Sequence, residues 1–255
     1  MLVVHLVLIA CVWEHSQASV WVSDAAGSDS YRGTIDAPFK TLARALAEPN
    51  EVLEILIEEG VYSGEGNNQL LINGSRQVAF LSANLSATAP IIDLSPGMQF
   101  ASQEANSTLS LSNLVFRNAK PSASENPSFA GSVVTASDAV LEITAIQVVN
   151  SAGPILALDG TSCSIIGAVF VGVSGSSLAP LGPEYAGGAV VHASCLGSCA
   201  GVHLNIHESR FLNVQVSADD NSTILGGAVM VAGYGAVKLT QVTFTNSVII
   251  STSTA

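Results

Sequence analysis

Residues 109–118 read LSLSNLVFRN: Leu109 and Leu111 alternate with serines, a short break follows, and Phe116 stands two positions before Asn118. The phrase returns as LEITAIQVVN over 141–150, with Leu141, Ile143, Val148 and Asn150, and as LNIHESRFLN over 204–213, with Leu204, Ile206, Phe211 and Asn213. It returns again as LTQVTFTN over 239–246, with Leu239, Val242, Phe244 and Asn246. A degenerate copy, CSIIGAVFVG over 163–172, puts Phe170 in the aromatic place and Gly172 in the Asn place. Repetition on this scale marks a solenoid. The steps between the closing Asn or Gly positions are 32, 22, 41 and 33 residues, so one structural rung carries loops of different length.

Each half of the phrase alternates with period two, which is the spacing of a strand with one buried face. The closing Asn or Gly shares one property, easy access to the left-handed backbone region, so it marks a corner. Strand, bend, strand and corner, repeated and stacked at about 4.8 Å, predict an all-β parallel β-helix. A two-layer sandwich also has short strands and turns, but its strands need not share a phrase. No long helical stripe occurs past the beginning of the chain.

The chain has 255 residues, 48% of them hydrophobic and only 11% charged. That balance suits a coil whose interior is filled by every rung, with Ser, Thr and Asn outside. The formal net charge of −12 argues against nucleic acid, whose phosphates need Lys and Arg. Residues 1–18, MLVVHLVLIACVWEHSQA, combine an apolar run from Leu2 to Trp13 with small residues at Ser16 and Ala18, the pattern of a secretory leader; a buried N-terminal strand is the alternative. The run is too short to span a membrane as a helix, and no later segment reaches the length one needs. The expected mature domain is therefore 19–255, exported or displayed at the cell surface.

Export makes Cys195 and Cys199 a plausible local disulfide across a Gly-containing loop, with Cys163 left as a buried thiol. Zinc is disfavoured because the pair lacks a second pair of ligands; no other metal and no cofactor is expected. Sequons at Asn73, Asn84, Asn106 and Asn221 are candidate glycosylation sites.

At the N-terminus, Val20 and Val22 open a strand, a Gly/Ser/Asp loop follows, and an amphipathic helix is expected over about Phe39 to Ala47, ended by Pro49. Laid across the first rung, it would cover the interior. Asp24 and Gly27, then Pro38, Phe39, Thr41, Leu42, Ala45 and Leu46, then Ile57, Gly60 and Tyr62 resemble the start of right-handed parallel β-helix proteins of the pectin-lyase-like superfamily. Gly187-Gly188-Ala189-Val190 and Gly226-Gly227-Ala228-Val229, each ahead of a Phe-x-Asn strand end, resemble repeats of the polymorphic outer-membrane protein group, whose own spacing is Phe-x-x-Asn. The resemblance implies a right-handed coil with a short N-terminal capping helix. It leaves function open, since the superfamily includes lyases, hydrolases, esterases, adhesins and scaffolds.

The motifs of β-helix enzymes that cut acidic polysaccharides are not legible. Of the polygalacturonase-like set only Asp219-Asp220 occurs, in a polar loop; the pectin-methylesterase-like set is absent; and beyond Arg117 the basic residues are only Lys120, Arg210 and Lys238. Alternation in VHLNIHESR puts His203, Asn205 and His207 on one outer face, with Glu208 and Arg210 at the adjoining bend, a candidate carbohydrate-contact cluster. His203 and His207 are about 13 Å apart on an extended strand, too far to chelate one metal. Asp138, Glu142 and Asp159 look isolated, although inter-rung alignment could bring two of them together. The expected role is a non-enzymatic structural, adhesive or carbohydrate-contacting module. The alternative is a polysaccharide lyase or glycoside hydrolase on the same fold, which two converging acids would favour. Past Asn246 no cap is legible, so the chain is expected either to be part of a longer protein or to pair its last rung with a partner, end to end or through a further domain.

Overall fold

The computed structural model describes residues 18–85, 88–95, 98–120, 133–175, 185–186, 189–195, 199, 201–218, 223–224 and 228–251. The leader expectation apart from Ala18, the Asp219-Asp220 pair, the sequon Asn221 and the glycines of both Gly-Gly-Ala-Val motifs lie outside the described residues.

Three parallel sheets run the length of the described chain, and in each the spatial order is the chain order. The longest has eight strands: Ala18–Val22, Val52–Ile57, Gln77–Ser82, Thr108–Ser112, Val140–Thr144, Ser162–Ile166, His203–His207 and Ala236–Thr240. A seven-stranded sheet runs from Val61–Ser63 to Thr243–Thr245, and a six-stranded sheet from Leu70–Ile72 to Val229–Ala232. Every strand therefore pairs with its counterpart one turn along the chain. That is a parallel β-helix.

Register puts like residues in columns. Tyr62, Ile92, Phe116, Val148, Phe170, Phe211 and Phe244 succeed one another in the seven-stranded sheet. In the longest sheet Leu53, Val78, Leu109, Leu141, Cys163, Leu204 and Val237 form one inward column, and Ile55, Phe80, Leu111, Ile143, Ile165, Ile206 and Leu239 the next. The fourth copy of the repeat is thereby placed: Leu239 lies beside Ile206, and Val237 supplies the partner of Leu204. Side chains in these columns are fully buried until the last turn, where Val237, Leu239 and Phe244 are about half exposed. Phe170, Phe211 and Phe244 stack nearly parallel, at 5.1 and 4.8 Å. Such pairs add about 0.5–1.5 kcal/mol each beyond burial.

The corners follow the sequence expectation. Asn118, Asn150, Asn213 and Asn246 all have positive φ, between 48° and 59°, and Gly172 has 62°. A second left-handed corner separates the two strands of each repeat, at Asn113, Ala145, Gly167, Glu208 and Gln241. Periodicity marked that point only as a break, because in three of the five copies Ala145, Glu208 and Gln241, residues without a left-handed preference, occupy it. Ser209 stands where other turns bury Leu114 or Ile146. It is satisfied locally, its hydroxyl donating to the His207 carbonyl and accepting from the Ala168 amide, as a buried polar group must be.

The cap is shorter than the pattern predicted. The helix is Leu42–Leu46, with Leu42, Ala45 and Leu46 buried. Phe39 is outside it and bridges to Val22 in parallel. The boundary is chemical: Thr41 is the N-cap, accepting from the Arg44 amide, while Asp29 accepts from the Lys40 and Thr41 amides and the Thr41 hydroxyl. These bonds hold the preceding residues extended and supply acceptors to helix-end amides. At the other end Arg76 donates to the carbonyls of Leu46, Glu48 and Asn50. Tyr62 ties cap to coil, its hydroxyl donating toward the Val22 and Glu58 carbonyls and accepting from the Asp24 amide; burial pushes its titration up.

Candidate functional site: a cleft beside Trp21

Because alternate residues of the longest sheet point inward, the rest form an outer face in rows along the coil. One row runs Ser19, Glu54, Ala79, Ser110, Glu142, Ser164, Asn205, Lys238, and its neighbour runs Trp21, Leu56, Leu81, Ser112, Thr144, Ile166, His207, Thr240. Within the first row the Ser19 hydroxyl donates to Glu54 and the Ser110 hydroxyl to Glu142, at 2.9 and 2.8 Å. Six of these sixteen residues carry a hydroxyl, and Leu56, Leu81 and Ile166 are aliphatic. Trp21 is the aromatic exception.

Trp21 stands at the rim of a cavity of about 470 Å³, lined also by Glu58, Glu59, Ser82, Ala83, Asn84 and Thr88. Three successive turns build it. Trp21 pairs in register with Leu56, and Leu56 with Leu81, so the residues just past the ends of the second and third strands fall beside the indole. The Glu58 amide donates to the Val22 carbonyl at 3.0 Å, and the Ala83 amide to the Ile57 carbonyl at 2.8 Å. The floor is therefore a continuation of the ladder. Among the described residues neither the Glu58 nor the Glu59 carboxylate makes a hydrogen bond or ion pair, and no lining residue is basic. The site combines an aromatic face, two uncommitted carboxylates, two hydroxyls and an amide, the mixed lining that orients a polar small ligand.

A second cavity, of about 500 Å³, lies against the capping helix and includes Glu65, Asn68, Gln69, Leu71 and Arg76. Among its described lining residues the one cation is the guanidinium that already closes the helix, so that charge is spoken for structurally.

The cluster expected around His203 divides. Ser162 Oγ and His203 Nδ1 are 3.3 Å apart; Asn205 lies beside Lys238 in register; and His207 Nε2 is 3.1 Å from Glu208 Oε1. Arg210 is past the corner, on the seven-stranded sheet between Val169 and Thr243. His203, Asn205 and His207 thus share a face, while Arg210 belongs to the next one. Cys195 and Cys199 are joined by a disulfide, and Cys163 is a buried free thiol. Asn73, Asn84 and Asn106 lie at turns outside the strands.

Two acids that looked isolated are neighbours. Ser137 pairs with Asp159 across adjacent turns, which sets Asp138 beside Gly160. Burial, then the charge of Asp138, pushes the Asp159 carboxyl above its ordinary value, against a hydrogen bond from Ser194. Among the described residues no group of three or more His, Cys, Asp or Glu is arranged to hold a metal.

No family model matches the chain, and no curated protein matches it either. Among solved structures, a selenomethionine crystal structure of a GH136 lacto-N-biosidase from Eubacterium ramulus aligns over 84% of this chain and 56% of its own, at 12% identity and TM-score 0.38. The native crystal structure of that protein aligns over 92% and 68%, at 10% identity and TM-score 0.38. A rhamnogalacturonan lyase aligns over 88% and 56%, at 14% identity and TM-score 0.37. The chain thus spans little more than half the length of the lyase. At this level of likeness the fold rests on the strand order described above, and the chemistry on the residues of this chain.

The cleft residues escaped the sequence reading for a physical reason. Alternation with Val20 and Val22 is a signal that could have marked Trp21 as outward, and Glu58-Glu59 follow directly on a strand. Nothing local joined them, because their meeting depends on how many residues each turn consumes.

Proposed function

We propose that this chain is a non-enzymatic, exported β-helix module that contacts carbohydrate, with the Trp21 cleft as its principal contact. The supporting observation is the placement of an indole beside the ladder, lining with carboxylate, amide and hydroxyl groups one cavity of about 470 Å³. An indole offers a flat apolar face together with a polar N–H, suited to a ligand that is wet on its edges and less polar on its faces. Serine and threonine hydroxyls in the rows beyond the cleft extend that surface along the coil. The disulfide Cys195–Cys199 supports an oxidising compartment, and the net charge of −12 speaks against nucleic acid as partner.

A glycan array followed by calorimetric titration of any hits tests the reading. Binding weakened at least tenfold in Trp21→Ala, without turnover of the bound saccharide, is the expected result. Silence across the array, or hits indifferent to Trp21→Ala, overturns it.

The Asp138–Asp159 pair supports a second reading, a glycoside hydrolase, since two neighbouring carboxyls, with Asp159 pushed upward by burial and by the charge of Asp138, are the kind of pair such chemistry uses. Release of reducing ends that disappears in Asp159→Asn would favour it over the module.

A further inference from the structure

We infer that the ligand of the Trp21 cleft carries a protonated amine: the site takes an amino sugar in its free ammonium form, in preference to an N-acetylated or a uronate-containing one. This inference rests on the carbohydrate reading above and specifies its chemistry. Glu58 and Glu59 both line the cavity, and among the described residues neither carboxylate is engaged by a cation or a donor. Binding a neutral sugar there would desolvate at least one carboxylate with only hydroxyl donors in return. A hydroxyl donor to a carboxylate is already charge-assisted; an ammonium adds the attraction of opposite full charges, which a neutral sugar lacks.

Trp21 points the same way. An indole face attracts a cation as well as an apolar surface, so one pyranose bearing an ammonium can satisfy the ring and the acids together. The absence of Lys or Arg among the described lining residues, in a chain of net charge −12, disfavours uronates by long-range repulsion. An N-acetyl group would remove the charge that the acids are placed to meet.

The test compares three tetrasaccharides by calorimetry at low ionic strength: β-1,4-linked glucosamine, β-1,4-linked N-acetylglucosamine and α-1,4-linked galacturonic acid. The protein is the full chain, made without N-glycosylation. Glucosamine tetramer should bind roughly tenfold tighter than its N-acetylated counterpart. The gap should close in Glu58→Gln/Glu59→Gln, at high salt, and as pH rises through the titration of the amine. The two glutamates are at the surface, and unchanged circular dichroism and denaturation midpoint will show that the double variant is folded. Equal binding of the glucosamine and N-acetylglucosamine tetramers, both lost in Trp21→Ala, overturns the ammonium assignment and leaves carbohydrate contact standing. Tighter binding of the galacturonate tetramer overturns the assignment as well. Failure of all three to bind, or binding indifferent to Trp21→Ala, overturns both.

Discussion

The rings of Phe211 and Phe244 stack at 4.8 Å with 18° between their planes, yet Phe211 is fully buried and Phe244 is 48% exposed. One turn of coil separates a core residue from a surface one. Phe211→Ala removes an aromatic packed on both sides and should destabilise by about 3–5 kcal/mol, whereas Phe244→Ala should lose less than about 2 kcal/mol. Urea denaturation of the two variants measures the difference; equal losses would mean that the last turn is covered in solution.

The corner asparagines make a separate prediction. Asn213, at φ 53°, holds a left-handed position, and its side-chain oxygen accepts from the Asn246 amide group at 3.3 Å. Asn213→Ala should lose about 1 kcal/mol, the left-handed penalty of a residue with a Cβ and no local hydrogen bond. Asn213→Gly should be close to neutral by the same assay. A Gly variant as unstable as the Ala variant would assign the role to the side-chain ladder instead of the backbone.

Acid stability should show two steps. His192 lies in a row with Thr135, Ala157 and Met230. It is only 1% exposed, and among the described residues neither ring nitrogen has a hydrogen-bond partner. Burial brings its titration down to about 4 from an ordinary 6.5. The unfolded chain therefore takes up the proton first, so stability is whole above pH 6.5 and falls as pH drops toward 4, by on the order of 3 kcal/mol. His192→Met should flatten that window. Lower still lies Asp93. Burial alone would raise its carboxyl, but hydrogen bonds from Asn118, Ser95 and Arg117 outweigh it and bring it to about 2. Its contribution is present above about pH 3.8 and is lost as pH falls through 2. Denaturation midpoints from pH 7 to pH 2 check both steps.

Asn84 opens a sequon and lines the Trp21 cleft. A glycan attached there would occupy space the ligand needs. Glycosylated protein should bind the cleft ligand more weakly than Asn84→Gln made in the same host, and a calorimetric comparison of the two decides it.

Cys163 is fully enclosed in the column between Leu141 and Leu204, and burial pushes its thiol well above the ordinary range. Iodoacetamide should leave it unmodified in the native protein and label it once the coil is unfolded in urea. Mass spectrometry of the tryptic peptide reads the outcome; labelling at the native rate of a free thiol would mean that the interior opens.

Leu109, Leu111, Phe116 and Asn118 carried in their own spacing the fact that they form an inward edge closed by a corner, since alternation and left-handed access are properties of a few consecutive residues. The same holds for the buried stripe Leu42, Ala45 and Leu46, though the start of its helix waited on Asp29 and Thr41, which meet only after the loop closes. Which turn lies over which was not local information. Loops that stretch the repeat from 22 to 41 residues leave the strand pattern unchanged while deciding what stands beside what. The sequence by itself therefore determined a coil of short strands with a dry interior. Tertiary structure alone decided that Trp21 would face Glu58, Glu59 and Asn84, and that Asp138 would sit against Asp159. Neighbours across turns are chosen by backbone stacking about 4.8 Å apart, and no run of consecutive residues encodes that register.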